Sequence, residues 1–539
     1  MGLDTNNNEN GRLMSFPTIQ QDFIDAALKH PTNNALWTDS GELTYDALLL
    51  RANFFANWLL NNNRAPNKRT ALILPKSIDN IVALFGILLA GNTYVPLGST
   101  WPANRLNTII SNGEFDLILQ EQSNEQVPVE DKSSLLLDSQ TWQDIFSPLE
   151  TLNADELNTI RQQKPQLVKS TDIAYILYTS GSTGVPKGVT VSHTAAQFFP
   201  AWAKKEFNVD ETHRIASMAP FTFDLSTFDL FTGLSSGGCL FIIPEKFKMF
   251  PTRLSGFLEK YEITTFYAVP SALSLLAING NLAKRDLSKI KVLLFAGEVF
   301  PIETCRLFKS FLAADVKYYN LYGPTETNVC TYFDASNIPE GDQPLPIGIP
   351  LPETHSFIDT SVGDGENTGE LCIYGPTLMN GYWGKPNEGA PYWTDVPGKP
   401  GVKAYRTGDV TYLDDKGNWI YKGRADKMVK IFGYRVELGE IESSLVKHPD
   451  VEQCVVVKRD RKSPDGSKTI GEELVAFIVP AKKNGQKVEL NQVEIFKHSK
   501  NDLPHYMMPS TIYESDEFPI GQSGKTDRLK LEQQAQEMA

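Results

Sequence analysis

Residues 173–189 read IAYILYTSGSTGVPKGV. An apolar run, residues 173–177, meets a loop in which three glycines, two serines, two threonines and one lysine follow within eleven residues. The run has the length and composition of a buried strand. The loop suits an anion, because glycines free the backbone to present N–H groups and the hydroxyls add donors. Lys187 adds a mobile cation. A phosphate loop of the Walker type needs Gly-Lys followed by Ser or Thr. Here Lys187 lies between Pro186 and Gly188, so that pattern is excluded. On composition alone, a flexible linker explains the loop equally well.

The same strand-then-loop arrangement recurs outward from this stretch. Residues 70–75, 239–244, 265–270, 291–297 and 317–323 are short apolar runs, and several end in Gly or Pro. Helix-like segments such as 77–90, 251–262 and 302–313 lie between them. Alternation of this kind predicts an α/β fold with mostly parallel sheets flanked by helices. In such sheets ligands bind beyond the carboxyl ends of the strands, here the loops after Leu177, Val269, Phe295 and Leu321. From about Pro346 the pattern changes to short strands and turns, a small β subdomain. A boundary is expected at 425/426, giving a core of residues 1–425 and a small α+β lid of residues 426–539. Residues 121–170 are polar and without clear pattern, and read as a surface excursion.

Length allows more than one domain in the 539 residues. The net charge of −14 argues against nucleic acid as the main partner. Nearly all of that charge lies upstream of residue 427, and the lid carries a basic cluster at Lys458, Arg459, Arg461 and Lys462. The longest apolar stretch, residues 81–91, is too short to cross a bilayer. The first residues are polar, with no apolar signal core. Five cysteines without a C-x-x-C pair suggest neither a disulfide framework nor a zinc site. A cytoplasmic location without a membrane partner is the expectation.

Five motifs follow in order: residues 178–188, Tyr322-GPTE, Tyr405-RTGD, Gly423-RADKMVKIFGYRVE and Gly521-QSGKTDR. In this order and spacing the chain resembles the adenylate-forming superfamily, and within it the adenylation domains of nonribosomal peptide synthetases. The resemblance spans nearly the whole chain. It implies a large amino-terminal domain with a small mobile carboxy-terminal lid. It also implies two reactions: a carboxylate attacks the α-phosphorus of ATP, releasing pyrophosphate, and a thiol then takes the acyl group.

By position in these motifs, Thr179, Ser180, Gly181, Ser182, Thr183 and Lys187 are expected to hold ATP phosphates. Thr325 is expected near the α-phosphate, and Glu326 to help hold Mg²⁺, which needs only one or two carboxylates beside phosphate and water. Asp409 is expected to accept from the ribose hydroxyls, with Tyr322, Tyr421 and Arg424 around it and Asn320 near adenine. Lys525 is the expected catalytic lysine, Asp426 the hinge, and Lys430, with Gly433, part of the lid loop that enters for the second reaction.

Asp224 lies in an apolar run, residues 221–231, where a lone carboxylate is costly. It would pair with a substrate ammonium, or else cap the following helix. The family's specificity positions read Asp224, Leu225, Phe228, Tyr267, Leu294, Ala296, Leu321, Val329, Cys330 and Lys525, with Gly297 adjoining. Between the Asp and the Lys nothing is charged, so a small apolar amino acid is expected. The set resembles that of free-standing domains activating L-proline for pyrrole or cyclic-amine products. A ligase charging a carrier with D-alanine is the nearest alternative, although Ala296 stands where that group usually has cysteine. A non-catalytic binding protein is the alternative of another class; intact Lys187, Glu326, Asp409, Arg424 and Lys525 argue against it. No carrier signature follows the core motifs, so the acceptor is expected to be a separate phosphopantetheinylated carrier protein, docking on the basic cluster.

Overall fold

The computed structural model describes residues 18–62, 64, 66–121, 134–181, 185–341, 343–362, 367–384, 392–426, 428–483, 486–520 and 526–538. Two large sheets form the body. One has seven strands, and its centre is the parallel set Ile173–Thr179, Thr93–Pro96, Arg69–Ile73 and Leu117–Gln120. The other has nine strands, and its parallel centre runs Lys317–Tyr322, Val292–Phe295, Thr265–Ala268, Arg214–Ser217, Cys239–Ile242 and Asn34–Thr38. The expected α/β class with mostly parallel sheets is therefore present.

The central strands are largely apolar, as expected where both faces of a sheet are covered. Along Val292–Phe295, Val292 and Leu294 face one core, while Leu293 and Phe295 face another. Leu72 and its neighbours Ala71 and Ile73 divide in the same way. This is the two-residue period of a strand with no solvent face. The largest core lies between the sheets and is filled by helices Ile19–Lys29, Tyr45–Asn61, Ile78–Leu89 and His193–Glu206. Ser77 starts Ile78–Leu89 by accepting from the Asn80 amide. Gly86 lets that helix approach its neighbour: a Cβ there would stand 2.7 Å from Phe55 Cδ1.

The small β subdomain is a five-stranded antiparallel sheet built on Thr368–Tyr374 and Lys403–Leu413. Beyond it come the hairpin Met428–Ile431/Tyr434–Glu437 and a three-stranded sheet, Val451–Lys462, Thr469–Pro480 and Thr511–Glu514. Helices Leu438–Leu445, Gln492–Ser499 and Arg528–Glu537 accompany them.

One expectation is corrected. The described part of residues 121–170 is not patternless. Helices Ser139–Phe146 and Ala154–Arg161 lie there, the second with a full capping box at Asn153 and Glu156. Trp142 packs on Phe55, and Asn53 donates to the Ile160 carbonyl. The polar surface of these short helices hid their few apolar contacts.

A buried ion pair joins the carboxy-terminal part to the body. Arg105, on helix Ala103–Gly113, meets Glu440, on Leu438–Leu445, and both side chains are under 10% exposed. Arg105→Ala would strand the Glu440 carboxylate, at a cost of about 3–5 kcal/mol. The expected result is an earlier thermal transition in Arg105→Ala, largely recovered in the double variant Arg105→Met/Glu440→Met.

Candidate active site

The site forms where the parallel strands of the nine-stranded sheet end. Ala268, Phe295 and Tyr322 finish three of them, and the loops that follow carry Val269, Ala296 with Gly297, and Gly323 through Val329. The strand Arg214–Ser217 leads into the segment bearing Asp224. From the seven-stranded sheet the hairpin Ile173–Thr179/Lys187–Ser192 brings the glycine-rich loop. Gly181 is required there, because a Cβ would stand 2.0 Å from the Val185 carbonyl oxygen.

These loops enclose a cavity of about 70 Å³. Of the residues expected from sequence, Thr179, Ser180, Asp224, Leu225, Tyr267, Ala296, Gly297, Thr325, Val329, Arg424 and Lys430 line it. Apolar walls around the Asp224 carboxylate push its pKa up, opposed by the Thr325 hydroxyl and Lys430. Asp224 does not cap the following helix: the helical turns begin at Ser226, and the Asp224 carboxylate accepts instead from the Thr325 hydroxyl and the Leu225 amide. Phe228 stands behind the cavity with its ring 5.7 Å from Tyr267, edge to face. Leu294, Leu321 and Cys330 are buried one layer further back. Burial pushes the Cys330 thiol up to about 12, so it is no nucleophile.

Asp409 is also set back. It is wholly buried, accepting from Tyr322 at 2.5 Å and from Arg424 at 2.6 Å. Arg424 thus separates it from the cavity. Arg424 also holds Asp426 through two contacts of 2.6 Å, and this pairing outweighs burial to draw Asp426 below the usual carboxylate range. Asn320 donates to the Pro346 carbonyl, and Tyr421 packs against the apolar cluster that includes Tyr322 and Trp419. Lys187 does not line the cavity; its Nζ donates to the Tyr392 hydroxyl at 2.5 Å and lies over that ring. Ser182, Thr183 and Lys525 lie outside the described residues.

Glu326 sits beneath the cavity, 1% exposed. Burial alone would raise its pKa, but the Arg435 guanidinium at 2.9 Å and the Tyr382 hydroxyl at 2.6 Å hold it low. Its Oε2 is buried without a hydrogen-bond partner. That orphaned oxygen suits a cation, so the site fits Mg²⁺ held jointly with phosphate and water. Among the described residues no group of three or more His, Cys, Asp or Glu could bind a metal alone.

Arg435 was not singled out in the sequence, although it lies in a quoted motif. It comes from the hairpin Met428–Ile431/Tyr434–Glu437, whose two turn residues, Phe432 and Gly433, both have positive φ. The turn reaches into the site. Gly433 N donates to Glu298 at 2.9 Å, and Ser180 donates to the Arg435 carbonyl at 2.7 Å. Glu298, also unforeseen, accepts from the Ser271 amide too. In the basic cluster Lys458, Arg459 and Lys462 are paired with Glu472, Glu473 and Asp460. Arg461 instead lies over Phe432 and faces a second cavity of about 740 Å³. The two cavities meet at Phe223, Leu225, Tyr267 and Tyr434.

Gly433 admits no side chain. Its φ is +77°, and a Cβ would stand 2.4 Å from Val269 Cγ1. Gly433→Ala is expected to weaken docking of the hairpin by roughly 1–3 kcal/mol. Faster amide exchange across residues 428–437, with the body unchanged, is the expected readout.

Comparison with known proteins agrees with this geometry. The AMP-binding enzyme model matches residues 23–383, and the model of the AMP-binding enzyme carboxy-terminal domain matches residues 440–525. An L-proline–[L-prolyl-carrier protein] ligase of Pseudomonas fluorescens is 32% identical over 524 residues, 96% of this chain and 99% of that protein. One of the same name from Streptomyces coelicolor is 33% identical over 522 residues, 94% of each chain. The fold is that of the Vibrio cholerae adenylation domain AlmE, solved with glycyl-adenosine-5'-phosphate, at a TM-score of 0.80 and 22% identity over 99% of both chains. The chain belongs to the AMP-binding enzyme family.

Proposed function

We propose that the protein activates L-proline as the prolyl-adenylate and passes it to the phosphopantetheine thiol of a separate carrier protein. The observation that carries this reading is Asp224: a carboxylate on a small cavity whose wall also includes the apolar Leu225, Tyr267, Ala296 and Val329. A carboxylate in such a wall asks for a cation, and an imino or amino acid brings one. Leu225, Tyr267, Ala296 and Val329 offer no partner to a charged side chain and favour a compact ring, while the cations on the cavity, Arg424, Lys430 and Arg435, all come from residues 424–435. The names of the two relatives support the choice of proline and of a carrier acceptor.

In the first reaction the proline carboxylate oxygen bonds to the α-phosphorus and pyrophosphate leaves. Thr179, Ser180 and Gly181, with Ser182, Thr183 and Lys187, bind the phosphates. Thr325 faces the α-phosphate. Arg424 and Asp409, with Tyr322, Tyr421 and Asn320, form the nucleoside side. Glu326 holds Mg²⁺, which neutralises phosphate charge when bound. Lys525 carries positive charge to the reacting oxygens as negative charge gathers there. In the second reaction the thiol sulfur attacks the acyl carbon and AMP leaves. The 740 Å³ cavity, opening beside Tyr267 and Phe223, is a route for the arm bearing that thiol.

Two reactions at one cavity call for rearrangement. Residues 426–539 form the lid, turning at Asp426. The hairpin with Lys430 and Gly433 occupies the site for the thiol reaction, and Lys525 replaces it for adenylation. A cytoplasmic location accords with five free cysteines.

Amino-acid-dependent exchange of pyrophosphate into ATP tests the reading. Strong exchange is expected with L-proline and none with benzoate. Lys525→Ala should abolish it. Asp224→Asn should lower kcat/KM for proline about 10²–10³-fold by unpairing a buried cation. Exchange with D-alanine or valine in place of proline would contradict the substrate assignment.

A further inference from the structure

Residues 217–229 carry Asp224, Leu225 and Phe228, yet contain little regular structure. Within them, turn bonds run from the amides of Phe223, Ser226, Thr227 and Phe228 to carbonyls three residues back. Such bonds shape the loop locally but do not fix it to the body. Ser217 is held by its strand, Arg214–Ser217, Asn328 Nδ2 donates to Thr227 Oγ1 at 3.3 Å, and the Thr325 hydroxyl meets Asp224; one side chain from the other sheet adds a tie that reaches both ends of the segment. Lys76 lies just before helix Ile78–Leu89, on the wall of the larger cavity. Its Nζ is 3.0 Å from the Ser217 carbonyl, 2.6 Å from Ser217 Oγ and 2.6 Å from the Ala219 carbonyl. All three ammonium donors are thereby used. Ser217 Oγ in turn donates to Asp229 at 2.6 Å, one residue beyond Phe228. Lys76 also stands 5.0 Å from the Phe221 ring centroid.

The arrangement gathers both ends of the segment at one cation. Ser217 and Asp229 are almost wholly buried, and Asp229 Oδ1 has no hydrogen-bond partner. Burial pulls the Lys76 ammonium down and pushes the Asp229 carboxyl up, while each charge opposes that trend in the other. Enclosed ionic groups of this kind add little net stability over apolar replacements. What they do supply is directional geometry. An apolar residue at position 76 could fill the space, but it could not hold three oxygens at fixed points.

We propose that Lys76 is a positioning residue for amino-acid binding: by tying Ser217 and Ala219 directly, and Asp229 through Ser217, it sets where the Asp224 carboxylate and the Phe228 wall stand. It touches neither substrate, and its effect reaches the amino acid alone. This deepens the adenylation reading and rests on it.

The test is steady-state pyrophosphate exchange with three variants and a rescue. Ser217→Ala and Lys76→Met are expected to raise KM for the amino acid at least about tenfold, with KM for ATP held within about twofold. Lys76→Arg, which keeps the charge and its donors, is expected to recover most of the loss. Lys76→Met/Asp229→Leu removes both charges, so its melting temperature should stay near that of the unaltered protein while its amino-acid KM remains high. An unchanged amino-acid KM in the double variant or in Ser217→Ala overturns the proposal. So does an equal rise in both KM values, the mark of a merely structural role. Absence of exchange by the unaltered protein with any amino acid would instead overturn the adenylation reading.

Discussion

Two carboxylates are held away from bulk water at the carboxyl ends of one parallel sheet, and each is tolerable there only if a positive charge comes to it. Taking a carboxylate out of water without a partner costs several kcal/mol. Glu326 has its cation in this structure: Arg435, delivered by the hairpin from the carboxy-terminal part. Asp224 has the Thr325 hydroxyl, the Lys430 charge and the Leu225 amide to moderate it, and these leave its pKa raised. The body is therefore built with sites for cations it does not itself contain. One is met by another part of the chain, and the other is left for a ligand.

That asymmetry organises the rest. The loops must converge, which explains why a parallel sheet is used: its strands all end on the same side. The two cores on either face of each strand make the platform rigid. The hairpin reaches the site through a turn whose glycine fits against Val269 and Phe223, and it is fastened by Glu298 and Ser180. Arg435 and a metal ion would compete for Glu326, so an inserted hairpin and a metal-bound triphosphate are alternatives on electrostatic grounds alone.

Much of this was legible in the chain. Apolar runs ending in glycine or proline gave the strands and, through them, the loops that line the cavity. The walls Leu225, Tyr267, Ala296 and Val329 were named from the family pattern, as was Asp224. Other parts were hidden for identifiable reasons. Arg435, Tyr382 and Glu298 act across more than fifty residues of sequence, and no local pattern announces such partners. The helices between residues 139 and 161 carry few buried groups, so hydrophobic periodicity is faint. The basic cluster reads as bare charge because sequence does not show that Glu472 and Glu473 meet Lys458 and Arg459 from the neighbouring antiparallel strand. Asp409 carries partners that no motif announces: Tyr322 and Arg424 donate to its oxygens.

The account turns on whether Asp224 exists to meet a substrate cation. Calorimetry with two non-hydrolysable analogues would answer this: prolyl-sulfamoyl adenosine, and its cyclopentane-carbonyl counterpart, which lacks only the charged nitrogen. The unaltered protein should bind the first at least about 100-fold more tightly, and Asp224→Ala should bind the two within a factor of about five, since removing either partner of an enclosed ion pair costs about 3 kcal/mol or more. Equal binding of the two analogues by the unaltered protein, or an undiminished preference in Asp224→Ala, would contradict it.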